Sequence, residues 1–150
     1  RQDNKSTLAP GTKITDQSSK AVYKITGKNT VEYVKCNVNK NKVSIPQKIM
    51  INSVSYQVTS IAAKAFKANK KIRSIVIPST VRKIGKQAFL NCKNLKKITL
   101  KTSYLSKKAI GAKAFKGIHK KATIKVPKKQ KKAYQKLLKS KGVGKKVKIK

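Results

Sequence analysis

One six-residue phrase occurs three times in this chain and constrains its fold more than any other feature. The copies are Ile61-Ala-Ala-Lys-Ala65-Phe66, Ile84-Gly-Lys-Gln-Ala88-Phe89 and Ile110-Gly-Ala-Lys-Ala114-Phe115. Their phenylalanines, the only three in the protein, stand 23 and then 26 residues apart. A repeat of that length cannot bury its own apolar face, so neighbouring copies must stack as a solenoid.

Each copy of the phrase is followed by a short run in which apolar residues alternate with other residues. The alternating pairs are Ile75 and Ile77, Ile98 and Leu100, and Ile124 and Val126. Such alternation predicts β-strands. We therefore expect each repeat to combine a strand with a short helical or 3-10 turn, in which alanine permits close approach and phenylalanine fills the space behind it. The predicted repeats are 58–80, 81–104 and a degenerate third copy, 105–127.

The residues before the array have two different patterns. Residues 1–19 are polar, contain Pro10-Gly11 and show no periodicity, which predicts a flexible linker or tail. Residues 20–57 contain alternating apolar runs and turn signals, with a hairpin predicted around Asn52-Ser53. They are interpreted as a β-hairpin-rich N-terminal cap.

The residues after the array, 128–150, predict a helix followed by a final strand. Tyr134, Leu137 and Leu138 have the spacing of one helix face, and Gly142 follows as a helix terminator. We interpret this segment as a cap on the last repeat. The predicted fold class is therefore an α/β repeat protein, a short solenoid with a cap at each end.

The charge of the chain is extreme and almost entirely due to lysine. Forty Lys and Arg residues stand against Asp3, Asp16 and Glu32, which gives a net charge of +37. A surface of this kind attracts polyanions. Only three residues are arginine, the side chain that reads phosphates and base edges bidentately. Specific nucleic-acid recognition is therefore not expected.

Catalytic chemistry has little support in the sequence. The acidic residues are too few for an obvious general acid–base pair, and His119 is the only histidine, so no triad or multi-histidine metal site can form within one chain. His119 is interpreted as an exposed residue of a connection. No phosphate-binding glycine loop occurs, and we expect no cofactor.

The two cysteines are expected to be structural. Cys92 occupies an inward repeat position, and Cys36 shares a strand face with Val34 and Val38, so we expect both thiols to be buried. A Cys36–Cys92 disulfide is the alternative. No window of the chain is apolar enough to predict a membrane span.

The repeats resemble a known family. Ile72-Arg-Ser-Ile75-Val-Ile77 and Leu95-Lys-Lys-Ile98-Thr-Leu100 are LxxLxL units, and they are joined to Ile-Gly-x-x-Ala-Phe-x-x-Cys. Over about residues 43–127 these units resemble the BspA-type leucine-rich repeats of bacterial surface proteins. The resemblance implies a right-handed solenoid with strands on one face, an extracellular or cell-surface location, and adhesive or interaction roles rather than catalysis.

Two hypotheses for function follow. In the first, the chain is a leucine-rich-repeat module that binds a protein or a host surface through the outward strand positions. These positions are Ser74, Val76, Lys97, Thr99, Lys101, Thr123 and Lys125. In the second, it is an electrostatic anchor, because residues 116–150 alone hold 15 lysines. The polyanion contacts are then Lys128, Lys129, Lys132, Lys136 and Lys139.

The sequence does not identify a single partner for either surface. Teichoic acid, anionic lipid headgroups, mucin, glycosaminoglycan and nucleic acid all carry suitable charge, and we favour an anionic polymer of a cell envelope or host surface. We expect a monomer. The chain begins without Met or a signal-peptide pattern, and is expected to be part of a larger protein.

Overall fold

A computed structural model describes residues 7–150 as two β-sheets and a short helical segment. The strands are β1 (Lys13–Thr15), β2 (Ala21–Ile25), β3 (Thr30–Cys36), β4 (Lys42–Ser44), β5 (Lys48–Ile51), β6 (Val54–Ile61), β7 (Ser74–Ile77), β8 (Lys83–Ile84), β9 (Lys97–Leu100), β10 (Thr123–Lys125) and β11 (Lys148–Ile149). The helical segment is a 3-10 helix (Lys128–Gln130) that leads into α1 (Lys131–Ser140). The first sheet has the order β1-β2-β3-β6-β5, with β8 also paired to β6. The second has the order β11-β10-β9-β7-β4.

The start of the described chain is folded rather than a tail. Lys13–Thr15 pairs antiparallel with β2, and Ile14 lies opposite Tyr23. The turn between them is held by Asp16, whose carboxylate accepts hydrogen bonds from Ser18 Oγ, Ser19 N and Ser19 Oγ. The tail prediction therefore does not hold for this segment, and residues 1–6 lie outside the described residues.

The predicted hairpin around Asn52-Ser53 is present between β5 and β6. Ile51 pairs with Val54, and both turn residues adopt positive φ, 51° and 63°. Two consecutive positive φ values are typical of the type I′ turn, whose twist matches that of the flanking strands. This hairpin connects β4 to the first Ile-x-x-x-Ala-Phe phrase, and its strand β6 joins the first sheet.

The alternating apolar residues of the repeats form one ladder in the second sheet. Val43, Ile75, Ile98, Ile124 and Ile149 lie directly opposite one another on successive parallel strands. The central three are at most 1% exposed. Ile61, Ile84 and Ile110 form a second parallel ladder on the other side of the coil. The core therefore lies between the two ladders, as expected for a repeat solenoid.

The repeated phrase itself forms turns and not the helical turn predicted from the sequence. Lys64 and Ala68 have positive φ in the first copy, and the same two positions have positive φ in the others. The turns of successive copies are joined by hydrogen bonds. In the first pair, Lys64 N, Phe66 N and Ala68 N donate to the carbonyls of Lys86, Ala88 and Leu90. Alternate turn amides are therefore satisfied by the next repeat. The amides between them, Ala65 N, Lys67 N and Asn69 N, bond within the turn to the carbonyl three residues before.

The phenylalanines stack along the solenoid. Ring centroids are 5.2 Å apart for Phe66 and Phe89 and 5.3 Å for Phe89 and Phe115, with planes inclined by 6° and 11°. Tyr33 extends the stack at the N-terminal end, 5.6 Å from Phe66. Glycine is needed beside the stack, since a Cβ on Gly85 would lie 2.3 Å from Ala63 N. These contacts fix the distance between neighbouring repeats.

The C-terminal helix is present and lies in the connection between β10 and β11. It ends at Ser140, and Gly142 follows with φ +107°. Gly142 N bonds to Lys139 O and Val143 N bonds to Leu138 O, the hydrogen bonds of a Schellman motif. Phe115 N donates to Lys141 O, so Lys141 takes the place that Ala88 and Ala114 occupy in the repeats.

Buried Tyr134 joins α1 to the third repeat. Its hydroxyl donates to Thr102 O at 2.8 Å and accepts a hydrogen bond from Leu105 N at 3.2 Å. Burial raises the pKa of Tyr134, so the phenol keeps the proton that it donates. The capping role of α1 and of residues 20–57, and the right-handedness of the coil, stay predictions.

Candidate interaction surface

The outer face of the second sheet carries the predicted interaction residues. On each strand the residues of the apolar ladder point inward, and their neighbours point outward because successive side chains alternate between the faces of a strand. Six of the seven predicted positions, all except Lys101, lie within β7, β9 and β10. All seven are half-buried or exposed.

The strand register arranges these positions in two rows. Ser74, Lys97 and Thr123 lie opposite one another in the first row. Val76, Thr99 and Lys125 form the second. Lys101 follows the last residue of β9 and its backbone amide bonds to Ile77 O, so it lies beyond both rows. The structure thus brings six of the seven residues together.

The sequence analysis missed three members of the rows. Lys42 lies opposite Ser74 and Lys148 lies opposite Thr123, which extends the first row at both ends. Ser44 lies opposite Val76 and extends the second row. The alternating apolar residues around Ser44 and Lys148 were visible in the sequence, but only the parallel pairing of β4 and β11 places these residues in line. A depression on the same face is lined by Asn41, Lys42, Arg73, Ser74, Val76, Lys97 and Thr99, and reaches Ile75.

The five lysines predicted as polyanion contacts lie on the helical segment. Lys128 and Lys129 belong to the 3-10 helix, and all five side chains are exposed. Lys132, Lys136 and Lys139 border one shallow depression on α1, which also touches Ala133 and Gln135. The structure therefore brings three of the five together, on an element that takes no part in the two rows.

The two acidic residues in the described part of the chain are both engaged in the first sheet. Hydrogen bonds from Ser19 and Ser18 hold the pKa of Asp16 below its ordinary value. Glu32 accepts a hydrogen bond from Ser60 Oγ and forms an ion pair with Lys24 at 3.4 Å. The strands of the second sheet contain neither Asp nor Glu. Its outer face therefore carries positive charge that no acidic residue on those strands offsets.

The two thiols are free and differ in burial. Cys92 is fully buried, and its thiol donates a hydrogen bond to Phe66 O at 2.9 Å. Burial raises the pKa of Cys92 to about 12. Cys36 is half-buried and the neighbouring Val38 is 40% exposed, so the expected full burial of Cys36 is wrong. The alternative disulfide is not formed.

His119 is half-buried rather than exposed. Its Nδ1 accepts a hydrogen bond from Lys121 N at 3.0 Å, so it closes the turn before β10. Within residues 7–150, no three His, Cys, Asp or Glu side chains come together as a metal site would require. The described helices include none with the length and apolar character of a membrane span.

Parallel strands in register, stacked phenylalanine turns and an outward polar face define a leucine-rich-repeat solenoid. A family model described as "BspA type Leucine rich repeat region" matches residues 17–149 in six copies. The chain belongs to this family. Six copies exceed the three repeats expected from the sequence, and the strands β4 and β11, outside those three, pair in the same ladder.

Three solved structures of similar fold are bacterial leucine-rich repeat proteins. A leucine-rich repeat protein of Bacteroides capillosus ATCC 29799 is 18% identical, with a TM-score of 0.63 over 92% of this chain and 98% of that one. A leucine rich cell surface protein of Faecalibacterium prausnitzii A2-165 is 23% identical, with a TM-score of 0.60 over 78% of this chain. A leucine-rich repeat protein of Bacteroides ovatus ATCC 8483 is 30% identical, with a TM-score of 0.53 over 71% of this chain.

This chain spans only the smaller part of the length of two of these proteins. The chain covers 37% of the Faecalibacterium protein and 35% of the B. ovatus protein. No curated relative matches the chain.

Proposed function

We propose that this chain is a non-catalytic interaction module of an extracellular or cell-surface protein, and that its partner binds the outer face of the second sheet. The observation that carries the proposal is the pair of rows on the strands of the second sheet. Lysine, serine and threonine side chains face outward there together with Val76, and no acidic residue lies on these strands. A flat, polar, positively charged surface on a rigid ladder suits adhesion to a host or envelope surface.

The family and its solved relatives support this location and role. One relative of similar fold is described as a cell surface protein. Leucine-rich-repeat solenoids bind partners through their exposed strand faces, because each repeat adds side chains to one continuous surface. Both described carboxylates are engaged in the first sheet, so the strands of the outer face offer no carboxylate as a general acid or base.

The experiment compares a face variant with a matched control for adhesion. The face variant combines Lys97→Gln, Thr99→Ala and Lys125→Gln. The control combines Lys70→Gln, Ser79→Ala and Lys93→Gln, which removes the same charge and one hydroxyl from exposed positions outside the strands. Each protein is applied to an array of extracellular-matrix proteins, mucins and acidic polysaccharides.

We expect the face variant to lose binding to the best array ligand while the control retains it. Circular dichroism and thermal unfolding should be unchanged for both variants, because all six side chains lie outside the core. Equal binding by the face variant, the control and the unmodified chain contradicts the proposal.

A second candidate function is electrostatic anchoring through the lysines of the helical segment. Its motivation is the exposure of Lys128, Lys129, Lys132, Lys136 and Lys139 together with the net charge of +37. Binding of this kind is shared among polyanions and falls steeply with salt. Binding to teichoic acid or anionic vesicles that persists near molar salt contradicts it.

A further inference from the structure

In the first row of the outer face, lysine alternates with a hydroxyl-bearing residue from strand to strand. Across β4, β7, β9, β10 and β11 the row reads Lys42, Ser74, Lys97, Thr123, Lys148. The three lysines are exposed and the two hydroxyl residues between them are half-buried. Among the described residues, no side-chain hydrogen bond engages Ser74 or Thr123, so their hydroxyls are available to a ligand.

The spacing of this row follows from the parallel sheet. Neighbouring strands lie about 4.7–4.9 Å apart, so lysines on alternate strands recur at roughly 9.5 Å. That interval is close to the screening length of about 8 Å at physiological ionic strength, so each lysine attracts mainly the charge placed opposite it. The row therefore favours a linear ligand that carries one negative charge per two strand spacings.

Densely charged polymers match the row poorly. A DNA strand carries one phosphate per about 3.4 Å, so most of its charges would lie between the lysines, opposite hydroxyls. Arginine, which binds phosphate bidentately, is absent from the five strands, and Arg73 lies only at the border of the depression on this face. Neither property favours a nucleic acid or a polyphosphate.

We infer that the first row binds a linear acidic polysaccharide that runs across the strands, with one carboxylate or sulfate in every second sugar. A sugar ring advances such a chain by roughly one strand spacing, about 4.8 Å. Charged sugars then lie over Lys42, Lys97 and Lys148, and intervening sugars offer hydroxyls to Ser74 and Thr123. This assignment rests on the proposed function, since it names the partner of the same face.

The second row fits the same orientation. Val76 and Thr99 lie beside Ser74 and Lys97 on β7 and β9, and Val76 is half-buried. The apolar side of a sugar ring can pack on Val76, while Thr99 adds a hydroxyl. No aromatic residue lies on these strands to provide a stacking platform, so affinity depends mainly on charge and falls with salt.

The test measures binding of a hyaluronan decasaccharide, which has one carboxylate per two sugars, by calorimetry at low ionic strength. A single-stranded DNA oligonucleotide of equal total charge is the comparison ligand. The row variant combines Lys42→Gln, Lys97→Gln and Lys148→Gln. The charge-matched control combines Lys128→Gln, Lys132→Gln and Lys139→Gln. A third variant, Ser74→Ala with Thr123→Val, keeps every charge.

We expect the row variant to weaken hyaluronan binding by about tenfold and the charge-matched control to leave it within about twofold. The hydroxyl variant should weaken hyaluronan binding and leave DNA binding unchanged. Equal losses in the row variant and the control, or tighter binding of DNA than of hyaluronan, overturn the assignment.

Hyaluronan binding that is absent, or unaffected by the row variant, also overturns it. If the face variant of the adhesion experiment nevertheless loses array binding, the interaction surface stands and its ligand is of another class. If array binding also survives, both proposals fail.

Discussion

Phe66 and Phe89 lie with ring centroids 5.2 Å apart and planes inclined by 6°, while Phe66 N donates to Ala88 O at 2.7 Å. One repeat is thus joined to the next twice, by its ring and by its backbone. The same arrangement recurs between Phe89 and Phe115. Stacking of neighbouring turns explains why Ala-Phe recurs in the sequence while the residues around it vary.

The central ring of the stack should be the most sensitive to truncation. Phe89 is fully buried between two other rings, so Phe89→Ala should lower the free energy of unfolding by about 3–5 kcal/mol. Urea unfolding followed by circular dichroism measures the change. Met50→Ala, at a position 63% exposed, is the control and should change stability by less than about 0.5 kcal/mol. Equal effects of the two substitutions contradict the stacked arrangement.

A methyl group at Gly85 should push two repeats apart. Its Cβ would lie 2.3 Å from Ala63 N, a backbone atom that cannot rotate away. Gly85→Ala should therefore destabilise by about 1–3 kcal/mol. Gly144→Ala is the matched control, because a Cβ there would meet no atom within 4 Å beyond its chain neighbours, and it should be neutral or slightly stabilising. A stable Gly85→Ala protein would mean that the turns are less closely stacked.

The two thiols should react at very different rates. The pKa of Cys92, raised by burial to about 12, leaves almost no thiolate at neutral pH, and its sulfur is inaccessible. Ellman's reagent should label one thiol of the native protein quickly and the second only after unfolding. In Cys36→Ser the fast phase should disappear. Two fast thiols, or a disulfide found by mass spectrometry, would contradict the structure.

Asp16 should contribute a small acid-sensitive part of the stability. Hydrogen bonds from Ser19 and Ser18 lower its pKa below the ordinary value of 3.8. A lowered pKa in the folded state means that the contribution is present above 3.8 and is lost as the pH falls through the folded value. Stability measured at neutral pH and well below 3.8 should therefore change less in Asp16→Asn than in the unmodified chain. An identical change in both proteins would show that Asp16 is not linked to folding.

The periodic part of the fold could be predicted from the sequence, because its apolar residues recur at fixed positions. The strands at Ile75, Ile98 and Ile124, the hairpin at Asn52-Ser53 and the burial of Cys92 follow from local pattern alone. The turn geometry did not follow, since Lys64, Ala68, Gln87 and Lys113 adopt positive φ although their residue types do not favour it; Asn91 and Gly117 are of types that do.

The ends of the array were harder to predict for physical reasons. Lys13–Thr15 is a short edge strand with two exposed residues out of three, so its sequence has the polar composition of a linker. Val43 and its ladder partner Ile75 are 32 residues apart, because the β5–β6 hairpin intervenes. A search for the 23-residue spacing therefore misses β4, and with it the place of Lys42 in the first row.

The interaction surface could be predicted in part. Alternation identifies which residues of β7, β9 and β10 point outward, but the alignment of those residues across the sheet depends on register. The alternation of Lys42, Ser74, Lys97, Thr123 and Lys148 is consequently visible only once all five strands are paired.

Amide chemical-shift mapping tests the central claim most directly. The isotope-labelled chain is titrated with the ligand that binds best on the adhesion array, and shifted amides are assigned to positions in the fold. The account predicts that the largest shifts fall on the outward residues of β4, β7, β9, β10 and β11, around Lys97 and Thr99. Shifts concentrated on α1, with the strands unaffected, would contradict it.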